Sequence, residues 1–228
     1  MTKKILSIIP ARGGSKGLLR KNIINLAGKP LIAWTIEASL KSKYITKTIV
    51  SSEDGEILET SIKYGAEIIR RPDDLASDTA TSESVVKHAI DYLKYKGEEF
   101  DIVILLQPTS PLRNSKDIDS AFEVMFNSEA TAVISTCEFD NKILKTFIEC
   151  SNGFLEGISN NKYPFVRRQD LPAVYMPNGA IYIINVKSFR EEKSFLTSKT
   201  LNYVMPKSRS IDIDNQSDMD KIKELISV

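Results

Sequence analysis

An apolar run, Ile5-Leu6-Ser7-Ile8-Ile9, stops at Pro10 and opens at once into Ala11-Arg12-Gly13-Gly14-Ser15-Lys16-Gly17-Leu18-Leu19-Arg20-Lys21-Asn22. No other stretch restricts the fold as strongly. The run reads as a buried strand, and a strand that feeds a glycine-rich, cationic loop points to a polyphosphate site. Gly13, Gly14 and Gly17 let the backbone come close to an anion and turn N–H groups towards it. Arg12, Lys16 and Lys21 supply neutralising charge. Leu18 stands where a Walker A loop needs its second glycine, and Ser15 stands where a dinucleotide fingerprint needs one. The loop therefore predicts nucleotide binding by another scheme. The competing reading is a solvated turn with incidental charges.

Strand and helix patterns alternate after this loop. Strands are expected at residues 5–9, 48–51, 67–69, 102–106 and 132–135, and helices at 31–40, 54–64, 79–95 and 115–127. Val86, Ile90 and Leu93 share one helical face. Gly65 and Gly97 end their helices, and Ser115 is read as an N-cap. This order predicts a doubly wound α/β fold with a mostly parallel sheet. The alternation breaks after Asp140. Residues 141–176 carry short apolar segments cut by Asn152-Gly153, Asn160-Asn161, Pro164 and Pro172, and Asn152-Gly153 is a hairpin signal. The expected division is an α/β domain of residues 1–140 and 177–228, with an inserted dimerisation segment at 141–176. The parallel pattern is expected to resume at 180–186. A last strand is expected at 210–213, before a closing helix that carries Met219, Ile222 and Ile226.

Charge and length exclude several classes. The chain has 31 Lys+Arg against 30 Asp+Glu, a net charge of +1, which gives no general attraction to nucleic acid or an anionic membrane. No apolar run approaches the roughly 20 residues needed to span a bilayer, and the first run is too short for a signal peptide. Cys137 and Cys150 lack metal-ligand spacing and read as a reduced pair. A cytoplasmic location is expected on these grounds.

Asp212 and Asp214 lie two apart in an extended pattern, so their carboxylates share a face opposite Ile211 and Ile213. At the usual rise their Cα atoms sit about 6.6 Å apart. That suits one Mg²⁺ (or Mn²⁺), or two ions bridged by phosphate; the alternative is a polar strand face with a cap. Asn22 offers an amide for a ribose or base edge. Gln107 ends an apolar strand, where ligands collect in α/β sheets. Arg71 follows a short strand as either a ligand-facing or a surface cation. Ser82 lies in a helix first turn, where free N–H groups favour an electron-rich partner. His88, the only histidine, sits among Val85, Val86, Ala89 and Ile90 and reads as packing. Trp34 likewise reads as core.

In five segments the chain resembles the acylneuraminate cytidylyltransferases. They are residues 8–22; Arg71-Pro72 with Leu75-Ala76-Ser77-Asp78-Thr79-Ala80; Leu106-Gln107-Pro108-Thr109-Ser110-Pro111-Leu112-Arg113; Pro177-Asn178-Gly179-Ala180-Ile181-Tyr182; and Ser210-Ile211-Asp212-Ile213-Asp214. The resemblance implies transfer of CMP from CTP to the 2-hydroxyl of a nonulosonic acid, with release of pyrophosphate. It implies that Arg12, Gly13, Gly14, Ser15, Lys16, Lys21, Asn22, Arg71 and Ser82 face CTP. Gln107, Thr109, Lys145, Arg168 and Tyr182 would face the sugar acid, with Arg167 a substitute for Arg168. Arg12, Lys16, Lys21, Asp212 and Asp214 would carry catalysis, the two aspartates holding the metal. It also implies a homodimer. Met176 stands where an arginine often precedes Pro-Asn, which leaves the sugar open between N-acetylneuraminate and a relative such as legionaminic acid. Three alternatives remain: a Kdo cytidylyltransferase, a metal-dependent nucleotide-sugar glycosyltransferase, and a non-catalytic nucleotide-binding module.

Overall fold

A computed structural model describes residues 3–15 and 17–226. Lys16, assigned to CTP and to catalysis above, lies outside the described residues. The elements in chain order are β1 (Ile5–Pro10), β2 (Asn25–Leu26), β3 (Lys29–Pro30), α1 (Leu31–Leu40), β4 (Lys47–Ser52), α2 (Gly55–Lys63), β5 (Glu67–Arg70), α3 (Ser82–Tyr95), β6 (Ile102–Leu105), α4 (Ser115–Phe126), β7 (Ala132–Phe139), β8 (Phe147–Glu149), β9 (Leu155–Gly157), β10 (Val174–Asn185), α5 (Val186–Glu192), β11 (Thr200–Val204) and α6 (Gln216–Ile226).

Seven strands form the main sheet in the order β11-β7-β10-β6-β1-β4-β5. β1 pairs in parallel with β4 and β6, β4 with β5, and β7 with β11. The doubly wound expectation holds on packing. On one face Ile32 and Ile36 of α1 and Ile118 and Phe122 of α4 bury against Ile5, Ile9, Val50 and Ile104. On the other, Val86, Ile90 and Leu93 of α3 and Phe189 of α5 bury against Leu6, Ile8, Ile49 and Val103. A third cluster docks Met219 and Ile222 of α6, with Ile213, onto Leu26 and Leu31, and Trp34 packs against it. The Trp34 indole N–H donates to the carbonyl of Leu26 at 3.1 Å.

Three expectations need correction. The strand that resumes after the insertion is antiparallel to both β6 and β7, not parallel. A strand buried on both faces shows the same apolar run in either direction, so its polarity is invisible in its residues. Residues 210–213 form no strand; the Ile213 N–H donates to the Thr109 carbonyl, in the loop after β6, at 2.9 Å. The remaining strand is β11, a short edge strand whose five residues are all exposed or only half-buried. Finally, α4 is capped by Asn114 and not by Ser115. The Asn114 side chain accepts from the Asp117 N–H at 3.1 Å, and Asp117 accepts from the Asn114 N–H at 3.0 Å, a reciprocal capping box.

Residues 141–173 leave the sheet from β7 and return on β10. β8 and β9 form the expected hairpin around Asn152-Gly153. Phe154, Leu155 and Phe165 are exposed here, Phe165 to 82%. Both cysteines are free.

Candidate active site

The parallel strands β1, β4, β5 and β6 all end on the same side of the sheet, where open α/β sheets gather ligands. The segments that follow β1, β5 and β6, with the start of α3, enclose a cleft of ≈ 430 Å³. Arg12, Ser15, Gly17, Lys21 and Asn22 line it from the loop after β1, and Arg71 from the end of β5. Ser82 contributes from the first turn of α3, and Gln107 and Thr109 from beyond β6. Asp214 closes one side. The structure thus brings residues distant in sequence to one groove.

The loop is held by side chains around it more than by its glycines. Arg12 pairs with Asp78 at 2.8 Å. The Asn22 amide donates one N–H to the Arg12 carbonyl at 2.9 Å, which ties it to the loop while it lines the cleft. The Lys21 ammonium donates to the Ile213 carbonyl at 2.7 Å and meets Asp214 at 3.3 Å. Arg20, at φ 56°, reaches both Asp54 and Glu56. Gly13 and Gly14 do not line the cleft. The Gly13 N–H, expected to face an anion, donates instead to Glu53 at 2.7 Å, because the carboxylate that follows β4 reaches into the loop. Gly17 has a clear physical cause. A Cβ there would meet the Asp214 carbonyl oxygen at 2.1 Å, so only glycine lets the loop lie on the acidic segment.

Arg71 is buried. It pairs with Glu53 at 3.0 Å and donates to the Ala11 carbonyl at 3.2 Å. This resolves the open choice against a surface cation. Burial pushes its pKa down, opposed by Glu53. Ser82 is the first residue of α3, which Thr81 caps by accepting from the Ser84 N–H at 3.2 Å.

No strand holds Asp212 and Asp214; Ile211 and Ile213 pack into the α6 cluster, and the two carboxylates lie close enough for the Asp214 charge to act on Asp212. Asp214 is exposed at the cleft. Asp212 lies deeper, beside Thr109 and Ser110. Burial, with a contribution from the Asp214 charge, pushes its pKa up against the hydroxyls of Thr109 and Ser110 and against Lys21. Two oxygen-donor carboxylates, one half-desolvated and repelled by the other, make a set that a hard divalent cation satisfies. Among the described residues no cluster of three or more His, Cys, Asp or Glu side chains is placed to hold a metal.

Tyr182 sits on β10, half-buried, its ring 5.6 Å from that of Phe195. It does not line the cleft, yet after burial the charges of Asp212 and Glu83 push its pKa up. Gly179 has φ +74°, and a Cβ on it would come within 2.6 Å of Gln107 Oε1. Lys145 and Arg168 are not brought to the cleft of their own chain. Lys145 donates to the Val166 carbonyl at 2.8 Å. Arg168 faces Asp140 at 3.5 Å in a separate hollow with Lys207. His88 lies outside the cleft, stacked near Tyr92. Burial, and secondarily the Arg71 charge, hold its pKa low.

Sequence reasoning missed Glu53, Asp54 and Asp78 as organisers of the loop. The available signal was position: Glu53 and Asp54 directly follow β4, at the same sheet edge as the loop itself.

Comparison with known proteins adds the following. A family model described as cytidylyltransferase matches residues 6–226. A pseudaminic acid cytidylyltransferase of Campylobacter jejuni subsp. jejuni is 35% identical over 226 residues, covering 99% of this chain and 97% of the relative. An N-acylneuraminate cytidylyltransferase of Escherichia coli O18:K1:H7 is 35% identical over 223 residues, covering 96% of this chain and 51% of that longer protein. A CMP-N,N'-diacetyllegionaminic acid synthase of Legionella pneumophila is 34% identical, covering 99% and 97%. Among solved structures, a CMP:2-keto-3-deoxy-manno-octonic acid synthetase complexed with CTP superposes with a TM-score of 0.74 at 16% identity, covering 98% of each chain; that likeness shows the fold.

Proposed function

The chain belongs to the cytidylyltransferase family, and from that premise we propose that it transfers CMP from CTP to the 2-hydroxyl of a nonulosonic acid, releasing pyrophosphate. The observation that carries the reading is the single cleft in which Arg12, Lys21, Arg71, Ser82, Gln107 and Asp214 converge from five separate chain segments. Relatives at 34–35% identity over nearly this whole chain carry three different nonulosonic sugar names. They favour this class over the eight-carbon Kdo, since the Kdo-type structure shares only the fold.

Arg12 and Lys21 take the triphosphate. In the free protein each is held by a carboxylate, Asp78 and Asp214, and phosphate oxygens replace those partners. Lys16 adds charge to the same loop. Arg71 and Ser82 face the cytidine, and Gln107 and Thr109 face the sugar acid. Asp212 and Asp214 would hold Mg²⁺ or Mn²⁺, which supplies charge neutralisation for the triphosphate when bound. The protein contributes positioning and electrostatic preorganisation; no covalent nucleophile is needed.

The insertion completes the site from a second subunit. Its exposed Phe147, Phe154, Leu155 and Phe165 form an apolar surface too thin to bury itself, and a two-fold partner covers it with the same segment. Lys145 and Arg168 then reach the partner's sugar site. No described helix is long and apolar enough to cross a membrane, and the enzyme acts in the cytoplasm without nucleic acid.

A pyrophosphate-release assay with CTP, Mg²⁺ and a panel of nonulosonic acids, with Kdo as a separate arm, tests the reading. Release with at least one nonulosonic acid and not with Kdo is expected. Release with Kdo alone, or with none of the acids, refutes it.

A further inference from the structure

Glu53 neither lines the cleft nor belongs to a recognised segment, yet it joins the two walls that do. Its side chain is 17% exposed. One carboxylate oxygen accepts from the Gly13 N–H at 2.7 Å. The other accepts from Arg71 at both Nη2, 3.0 Å, and Nε, 3.3 Å. Arg71 returns to the loop by donating to the Ala11 carbonyl at 3.2 Å. These contacts close a ring from Ala11 through Gly13, Glu53 and Arg71 back to Ala11. The Glu53 carbonyl also accepts from Arg70 at 2.8 Å, which ties the residue to the end of β5. The adjacent Asp54 fills the space beside Gly13, 2.5 Å from where its Cβ would lie, and clasps Arg20 at the far end of the loop. The end of β4 therefore sets the shape of the loop at both of its ends.

Without Glu53, Arg71 is a buried cation with no counter-charge in its ring, and such a group turns towards solvent or another acceptor. We infer that Glu53 is a positioning residue that sets nucleotide selectivity. It fixes Arg71 beside Ser82 in register with the Arg12 loop, so that one rigid unit meets the base and the phosphates. The inference rests on the cytidylyltransferase reading, in which Arg71 faces the base.

The test is calorimetric binding of CTP and of UTP, without sugar acid, to the wild type, Glu53→Gln and Glu53→Ala, each with a thermal melt. Glu53→Ala should lose about tenfold in CTP affinity, the scale of charge-assisted bonds, and should lose less for UTP, so that the preference narrows. Glu53→Gln keeps an acceptor for the Gly13 N–H but loses the charge facing Arg71. It should retain more affinity than Glu53→Ala and still narrow the preference. A CTP-to-UTP ratio unchanged in Glu53→Gln overturns the assignment, whatever the melts show, and decides the matter if Glu53→Ala does not fold. A wild type that binds neither nucleotide overturns the assignment and the functional reading together.

Discussion

The nucleotide side of the cleft and the insertion treat their cations in opposite ways. Around the loop after β1, Arg12, Arg20, Lys21 and Arg71 are each anchored to an acid distant in the chain, namely Asp78, Asp54, Asp214 and Glu53. Across residues 141–173, Lys145 and Arg168 are tied only to groups in or beside the same segment, while large apolar side chains stand in solvent. Cross-linking between distant elements preorganises a site. Local ties leave a segment's shape to whatever covers it. The first region is therefore cross-linked across the chain, whereas the second is held by local ties alone.

The largest test of this contrast lies on the cross-linked side. Asp214→Ala should lose at least about 100-fold in turnover, the scale of removing a key electrostatic group, and near-normal pyrophosphate release would break the assignment. Next comes the insertion. Arg168→Ala and Lys145→Ala should each raise the sugar-acid requirement by roughly 1.5–3 kcal/mol, about 10- to 150-fold, with calorimetric CTP affinity unchanged. Lost CTP affinity with normal sugar affinity would reverse the two regions. Mixing Arg168→Ala with Asp214→Ala subunits sharpens the point: exchanged dimers should regain some activity at one intact site, and continued inactivity after proven exchange would place the insertion's cations in their own chain.

Smaller effects follow. Phe154→Ser with Phe165→Ser should weaken self-association in sedimentation while CTP binding stays within about twofold, since scattered surface changes leave a distant site alone. The smallest concerns stability. Burial raises the folded pKa of Asp212, so its favourable contribution is complete only below the ordinary carboxyl range and is lost as pH rises through the raised value. In chelator at neutral pH, Asp212→Asn should melt higher than wild type, and the difference should close on acidification. A lower melt at neutral pH would show that Lys21 and the neighbouring hydroxyls outweigh desolvation.

Much of this molecule was legible in the residues. The alternation of strands and helices, the hairpin at Asn152-Gly153 and the projecting segment follow from patterns local to each stretch, whereas the convergence of Arg12, Lys21, Arg71, Ser82 and Gln107 was implied by the family resemblance. What failed is non-local. The direction of β10 depends on which neighbours it meets. The edge strand β11 has no buried face to announce it. The destination of the Gly13 N–H depends on a carboxylate 40 residues away.

The insertion leaves from β7 and returns on β10, and these strands are paired at its neck, with Phe139 opposite Val174. In evolutionary terms this is a separable attachment. Residues beyond the neck can be replaced without opening the sheet or touching the acids that anchor the loop. Relatives named for three different sugar acids keep about one-third identity to this chain over nearly all of its length, and a paired neck of this kind lets such a segment vary while the sheet stays closed.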